Sequence, residues 1–152
     1  MVYQISGYFL EEFKFPEITD SLNMEHLCRI QCTNSASIHI RRGDYVTVGR
    51  AMTSEVCSRM VQAFLAHASG EWNLFVFSDD IDWCRENQSE LGFDAFEHVI
   101  YVEGNDHGKN YIDMQLMSQC KGMIMSNSSF CYLAALLNTR KIGYTNPTSR
   151  EI

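Results

Sequence analysis

Apolar and polar positions along this chain change rhythm at residue 36, and from there two periods alternate. The run Ala36 to Ile40 is short, apolar and bounded by polar residues, which predicts a buried strand. Thr53 to Ala68 carries apolar residues at helical spacing (Val56, Met60, Ala63, Phe64), with Thr53 placed to cap its start and Gly70 to stop it. Leu74 to Phe77 predicts a second strand, and Ser78 and Asp79 can cap a helix over Ile81 to Leu91 that ends before Gly92. Val99 to Val102, Met123 to Met125 and Lys141 to Tyr144 read as strands, and Tyr111 to Cys120 and Ser128 to Leu137 as the helices between them. Residues 1–35 break this alternation: an aromatic stretch from Tyr8 to Phe15, then Pro16, then a helix around Ser21 to Cys32. They read as a lead-in, with residues 36–152 as the domain proper.

Strands and helices in strict alternation require right-handed crossovers, so the fold class is α/β: a Rossmann-like parallel sheet with helices on both faces. In such sheets ligands bind beyond the carboxyl ends of the strands. Three polar clusters fall there: His39 to Asp44, Ser78-Asp79-Asp80, and Ser126 to Ser129. Alternation along the first strand puts Ser37, His39 and Arg41 on one side and Ile38 and Ile40 on the other, with Arg42 turned away from Arg41.

The 152 residues suffice for one domain with a real core, and 45% hydrophobic and 20% charged residues describe an ordinary globular chain. A formal charge of −7 argues against the basic surface of a nucleic-acid binder, so an anionic ligand must be met locally. Six cysteines without a C-x-x-C pair read as reduced thiols, and no N-terminal segment has signal-peptide character. His26, Cys28 and Cys32 match no standard zinc framework. No apolar stretch approaches the ~20 residues that cross a bilayer. The chain reads as soluble or peripheral to a membrane.

Arginine is costly to bury without an anion, and its planar fork matches phosphate oxygens, so Arg41 suggests a diphosphate. The same pattern also suits an arginine neutralised from within by Asp44. Asn127, Ser128 and Ser129 open a helix, where free N–H groups and two hydroxyls favour an anion, although a plain N-cap needs the same residues. Asp79 and Asp80 suit a helix cap, or acceptance of hydrogen bonds from guanine N1–H and its N2 amine. Asp113 reads as the solvated side of its helix. The chain has no G-x-S-x-G elbow, no phosphate loop of the G-x-x-x-x-G-K kind and no G-x-G-x-x-G fingerprint.

The motif His39-Ile40-Arg41-Arg42-Gly43-Asp44-Tyr45, the block Phe75 to Cys84, and the block Asp113 to Lys121 followed by Asn127-Ser128-Ser129-Phe130 together resemble the family 11 glycosyltransferases, the α-1,2-fucosyltransferases. The likeness runs in order over about residues 36 to 138. It implies the nucleotide-sugar-binding half of a GT-B fold and a metal-independent, inverting transfer of fucose from GDP-fucose to a galactose hydroxyl of a glycan. It implies no metal site and no cofactor beyond that donor. By the same resemblance Arg41 stabilises the departing diphosphate and Asp44 is the candidate general base. His39, Arg42 and Gly43 line the nucleotide, Asp79 or Asp80 meets guanine, and Asn127, Ser128, Ser129 and the Phe130 N–H hold phosphate. The chain departs from the family in having Cys131-Tyr132-Leu133 where two tryptophans and a glycine are usual, and in lacking the family's glycine-rich opening domain. A partner chain or a preceding domain would then complete the cleft. The alternative is a non-catalytic GDP-binding remnant or interaction module. Bacterial members imply a cytoplasmic setting beside the inner membrane; a eukaryotic fragment would imply the Golgi.

Overall fold

A computed structural model describes residues 12–140 and 143–145; the start of the aromatic stretch and residues 141 and 142 of the last expected strand lie outside them. The elements are α1 (Ser21–Cys32), β1 (Ser35–Ile40), α2 (Gly43–Thr47), α3 (Ser54–His67), β2 (Asn73–Ser78), α4 (Ile81–Glu86), β3 (His98–Tyr101), α5 (Asn110–Met117), β4 (Gly122–Ile124), α6 (Ser129–Leu137) and β5 (Gly143–Thr145). The five strands form one parallel sheet in the order β3-β2-β1-β4-β5. The Rossmann-like α/β architecture expected from the alternation is the one observed.

β1 lies at the centre, paired with β2 from Ser35↔Asn73 to Ile40↔Ser78 and with β4 from Ala36↔Gly122 to Ile38↔Ile124. All six of its residues are buried, so water is excluded from both faces. Ala36, Ile38 and Ile40 join Leu74, Val76 and Ile124 under α3, whose Cys57, Met60, Val61 and Phe64 supply the opposing apolar stripe. The opposite sheet face, through Phe75, Phe77 and Met123, packs against Ile30 of α1, Ile112, Leu116 and Met117 of α5, and Cys131 and Ala134 of α6. α1 therefore shares a core with the sheet.

Element ends follow local hydrogen-bond competition. Thr53 caps α3 as expected, its Oγ1 accepting from the Val56 N–H at 3.2 Å. The cap of α4 is Asp80, accepting from the Trp83 N–H at 3.3 Å, and not Ser78 or Asp79. The Ser78 hydroxyl instead accepts from the Asp80 N–H and donates to the Ile40 carbonyl at 2.6 Å, tying the ends of β1 and β2 together. α4 is shorter than its apolar pattern suggested: it ends at Glu86, the Asn87 N–H and the Asn87 side chain both donate to the Trp83 carbonyl, at 3.0 and 2.8 Å, and the chain then turns toward Gly92. α5 stops at Met117, where the Asn138 amide takes the Met117 and Cys120 carbonyls.

The first three strands are laid down in one direction from β1, and β4 and β5 in the other. The winding thus reverses between β1 and β4, and beyond their carboxyl ends the two loop systems part and leave a crevice.

Candidate functional site

A cavity of about 460 Å³ opens at that end of the sheet. Its wall draws His39 and Arg41 from the end of β1, Ser78 and Asp79 from the end of β2, the β3–α5 loop from Val102 to Gly108, Asn110 and Asp113 of α5, and Phe130 of α6. The size is that of a site for a substantial small molecule.

His39 is 8% exposed and sits beside the Phe130 ring, with centroids 4.8 Å apart. Its Nδ1 has no hydrogen-bond partner among the described residues. Burial pushes its pKa down to about 4, helped by the Arg41 charge and opposed by Asp79. The ring is therefore a neutral imidazole near pH 7, offering a donor on one nitrogen and an acceptor on the other.

Arg41 stands at the rim. Its Nε and Nη2 both reach Asp44 Oδ1, at 3.2 and 3.1 Å, so the internal neutralisation that the sequence left open does occur. Both side chains are exposed, at 42% and 66%, and an ion pair in that setting contributes about 0–1 kcal/mol. A diphosphate carries more charge than one carboxylate and can take the guanidinium over.

Arg42 points elsewhere, as alternation requires. Its guanidinium lies 3.5 Å from the Trp83 ring centroid and its Nε 3.4 Å from Asp80 Oδ2. It does not line the cavity, and neither does Asp80. The Arg42 backbone N–H donates to Asp79 Oδ1 at 2.7 Å, which holds the Asp79 carboxylate at the cavity wall. Adjacent aspartates thus have separate employments: Asp79 faces the cavity and Asp80 caps α4.

Gly43 permits that arrangement, since a Cβ there would stand 2.6 Å from Asp79 Oδ2. Gly43→Ala should displace Asp79 from the cavity wall while costing about 1 kcal/mol of stability or less, because the displaced carboxylate is exposed. A structure of the variant and its thermal unfolding would check this.

At the start of α6, Ser128 is the N-cap, its Oγ accepting from the Phe130 N–H at 3.2 Å. Asn127 and Ser129 are exposed beside it, and of this group Phe130 alone lines the cavity. The structure therefore gathers His39, Arg41, Asp79 and Phe130 around one space, with Gly43 and Asp44 at its edge.

Asp113 was read as a solvated helix position, and the structure corrects this: it lines the cavity, accepting from Asn105 Nδ2 at 2.8 Å. Burial raises its pKa to about 6 against the lowering effect of that hydrogen bond. Its place between Ile112 and Met114 gave no distinct signal, since apolar neighbours equally flank a solvated position on an amphipathic helix. Asn105 carried no signal; its loop has no periodic pattern.

Among the described residues no group of three or more His, Cys, Asp or Glu side chains is placed to hold a metal ion. Cys28 and Cys32 are exposed, with their sulfurs 4.0 Å apart. No helix among those residues is long and apolar enough to cross a membrane.

Fold and site together define a doubly wound α/β protein with a ligand crevice at its switch point, furnished with one exposed arginine and several carboxylates. The chain belongs to glycosyl transferase family 11, whose profile matches residues 1–150. It is 36% identical to an alpha-1,2-colitosyltransferase of Escherichia coli, over 94% of this chain and 52% of that protein. It is 33% identical to the O-antigen biosynthesis glycosyltransferase WbnK of Escherichia coli, over 70% of this chain and 35% of that protein. Galactoside alpha-(1,2)-fucosyltransferase 2 of Bos taurus is 30% identical, over 74% and 34%. The chain thus spans from about a third to about half the length of these relatives. Among solved structures, the fucosyltransferase NodZ from Bradyrhizobium aligns over 77% of this chain and 42% of that one, with TM-score 0.49 and 18% identity.

Proposed function

We propose that residues 36–152, with α1 of the lead-in packed onto them, bind the GDP-sugar donor of an inverting, metal-independent α-1,2-fucosyltransferase, as the nucleotide-sugar half of a GT-B enzyme. The observation that carries this reading is Arg41: a guanidinium at the mouth of a cavity at the sheet's switch point, held there by one exposed carboxylate. The diphosphate of GDP-fucose takes Arg41 from Asp44, and His39 and the α6 N-terminus with Asn127, Ser128, Ser129 and the Phe130 N–H lie on the same side of β1. The carboxylates of the β3–α5 side repel phosphate, so the phosphates lie toward Arg41 and the base toward those acids; Asp79, on the wall beside Arg41 and His39, and Asp113 can accept from guanine N–H groups. Asp80 and Arg42 support that wall from behind, through the α4 cap and the Trp83 stack.

In the transfer, the oxygen of a galactose hydroxyl bonds to the fucose anomeric carbon as the bond to the β-phosphate oxygen breaks. Arg41 meets the charge that grows on the leaving GDP. Asp44, freed from Arg41 by the diphosphate, accepts the hydroxyl proton. The acceptor surface comes from chain or partner outside residues 36–152. In this reading the enzyme works in the cytoplasm beside the inner membrane if the chain is bacterial, and in the Golgi if it is a eukaryotic fragment.

A transfer assay offering GDP-fucose and a galactose-terminated acceptor, run beside a calorimetric titration with GDP, tests the proposal. Binding and transfer are expected; failure to bind GDP at millimolar concentration would sink it. The share of the relatives that this chain covers favours a second reading, a GDP-binding unit without turnover, which predicts binding and no transfer. The colitosyltransferase relative adds an activated colitose as the competing donor to include.

A further inference from the structure

The β3–α5 loop forms much of the cavity's acidic side but has almost no packing of its own. From Glu103 to Asn110 every residue is exposed except Asn105, which is 5% exposed. Gly104 (φ 88°), His107 (φ 53°) and Gly108 (φ 89°) hold left-handed conformations, and a Cβ at either glycine would meet nothing within 4 Å. Beyond Val102, which is buried where the loop leaves β3, the loop's one buried anchor is thus an amide, and the amide's partner is Asn23 of α1, 82 residues away in sequence and 4% exposed.

The two amides bond reciprocally: Asn23 Nδ2 donates to Asn105 Oδ1 at 2.8 Å, and Asn105 Nδ2 donates to Asn23 Oδ1 at 2.9 Å. Asn105 Nδ2 also donates to Asp113 Oδ1 at 2.8 Å, and Asn23 Nδ2 also donates to Asp20 Oδ2 at 3.0 Å. Each amide thereby spends both N–H groups and its oxygen. Rotating Asn105 by half a turn would set its oxygen against the Asp113 carboxylate and break all three bonds, so Asn23 determines that an N–H faces Asp113. The α1 N-cap supports the other end, since Asp20 Oδ1 accepts from the Asn23 backbone N–H at 2.9 Å.

We infer that Asn23, which lies outside the cavity, is a positioning residue: acting through Asn105, it holds the β3–α5 loop and Asp113 where they meet the hydrogen-bond-donating end of a bound nucleoside diphosphate. This rests on the nucleotide reading above. The lead-in helix then does more than cover the sheet, because it sets the shape and donor pattern of one cavity wall. Without Asn23, the Asn105 amide is free to turn, and the Asp113 carboxyl loses the hydrogen bond that opposes its burial. The charged and titratable groups around it are Glu103, Asp106 and His107 of the loop, His39 and Arg41 from β1, and Asp79 from β2.

The test is a titration of the full chain with GDP and with inorganic pyrophosphate across the acid-to-neutral range. Pyrophosphate reports on the phosphate end of the site, with Arg41 and the α6 N-terminus, and GDP on both ends. In Asn23→Ala, GDP affinity at neutral pH should fall about tenfold and pyrophosphate affinity should stay within about twofold. The midpoint of the GDP pH profile should move upward as Asp113 loses its donor. In an Asn105→Ala background the same substitution should change nothing further. Asn23→Ser is measured beside it, and whichever variant keeps the wild-type unfolding temperature within a few degrees is scored. An unchanged GDP-to-pyrophosphate ratio, equal loss of both ligands, or additivity with Asn105→Ala overturns the positioning role while leaving the nucleotide reading intact. A wild-type chain that binds pyrophosphate but not GDP, or neither, brings down both.

Discussion

Arg41→Ala is expected to abolish the protection that GDP gives the fold against heat and to lower transfer by a hundredfold or more. Each charge-assisted hydrogen bond from a guanidinium to phosphate contributes about 1.5–3 kcal/mol, and Arg41 presents at least two donors on one edge, as its contacts with Asp44 show. Two such bonds amount to about 3–6 kcal/mol, and roughly 1.4 kcal/mol is a factor of ten. The unliganded fold should scarcely notice the change, because the Arg41–Asp44 pair is exposed and the rest of β1 is packed without it. Thermal unfolding of wild type and variant, each with and without GDP, separates the two effects. If GDP raised the unfolding temperature of the variant as much as that of the wild type, Arg41 would not be the phosphate ligand. Arg41→Lys keeps the charge and loses the fork, so it should restore part of the protection and little of the rate.

The second large effect is masked in the wild type and appears when one carboxyl is removed. His39 has its pKa lowered from 6.5 to about 4, so its contribution is present above 6.5 and is lost as pH falls through that window. Asp113 has its pKa raised from 3.8 to about 6, so its contribution is present below 3.8 and is lost as pH rises through the folded value. The two windows coincide and the two slopes oppose each other. Each spans roughly 3 kcal/mol, so wild-type stability should be nearly flat from about pH 4 to 6.5. Asp113→Asn, which keeps an oxygen for the Asn105 donor, should unmask the His39 slope: the unfolding temperature should climb steadily over that range. The lowered carboxyls of Asp20 and Asp94 act below 3.8, whereas His26, lowered from 6.5 by burial, adds a slope of the same sign as His39 in wild type and variant alike, so the difference between the two profiles is the quantity to read. Unfolding curves for both proteins across the range decide the matter, and a flat profile in Asp113→Asn would show that burial of the two groups is not balanced in this way.

Much of the architecture was legible because hydrophobic period is a local property. The α1 boundaries, the Thr53 cap of α3 and the opposite facing of His39 and Ile40 follow from residues a few positions apart. Helix ends were less legible where a side chain competes for a carbonyl. The Asn87 amide meets the end of α4 from within its own turn, but the residue that takes the Met117 carbonyl at the end of α5, and the Cys120 carbonyl just after it, is Asn138, from beyond the next helix. The motif from His39 to Tyr45 pointed at an anion, and alternation separated Arg41 from Arg42. The division of labour between Asp79 and Asp80 was not readable, because it depends on the Arg42 N–H and Trp83 N–H to which each is tied.

The sequence by itself determined that strands and helices alternate, that β1 is buried on both faces, and that a histidine and an arginine end it on the same side, since each follows from the order of neighbouring side chains. Only the tertiary structure decided that the winding reverses beside β1, that Asp113 looks into the cavity, and that Asn23 reaches Asn105 across 82 residues. Those are contacts between segments far apart in the chain, and their partners are selected by sheet order and burial, which no local pattern encodes.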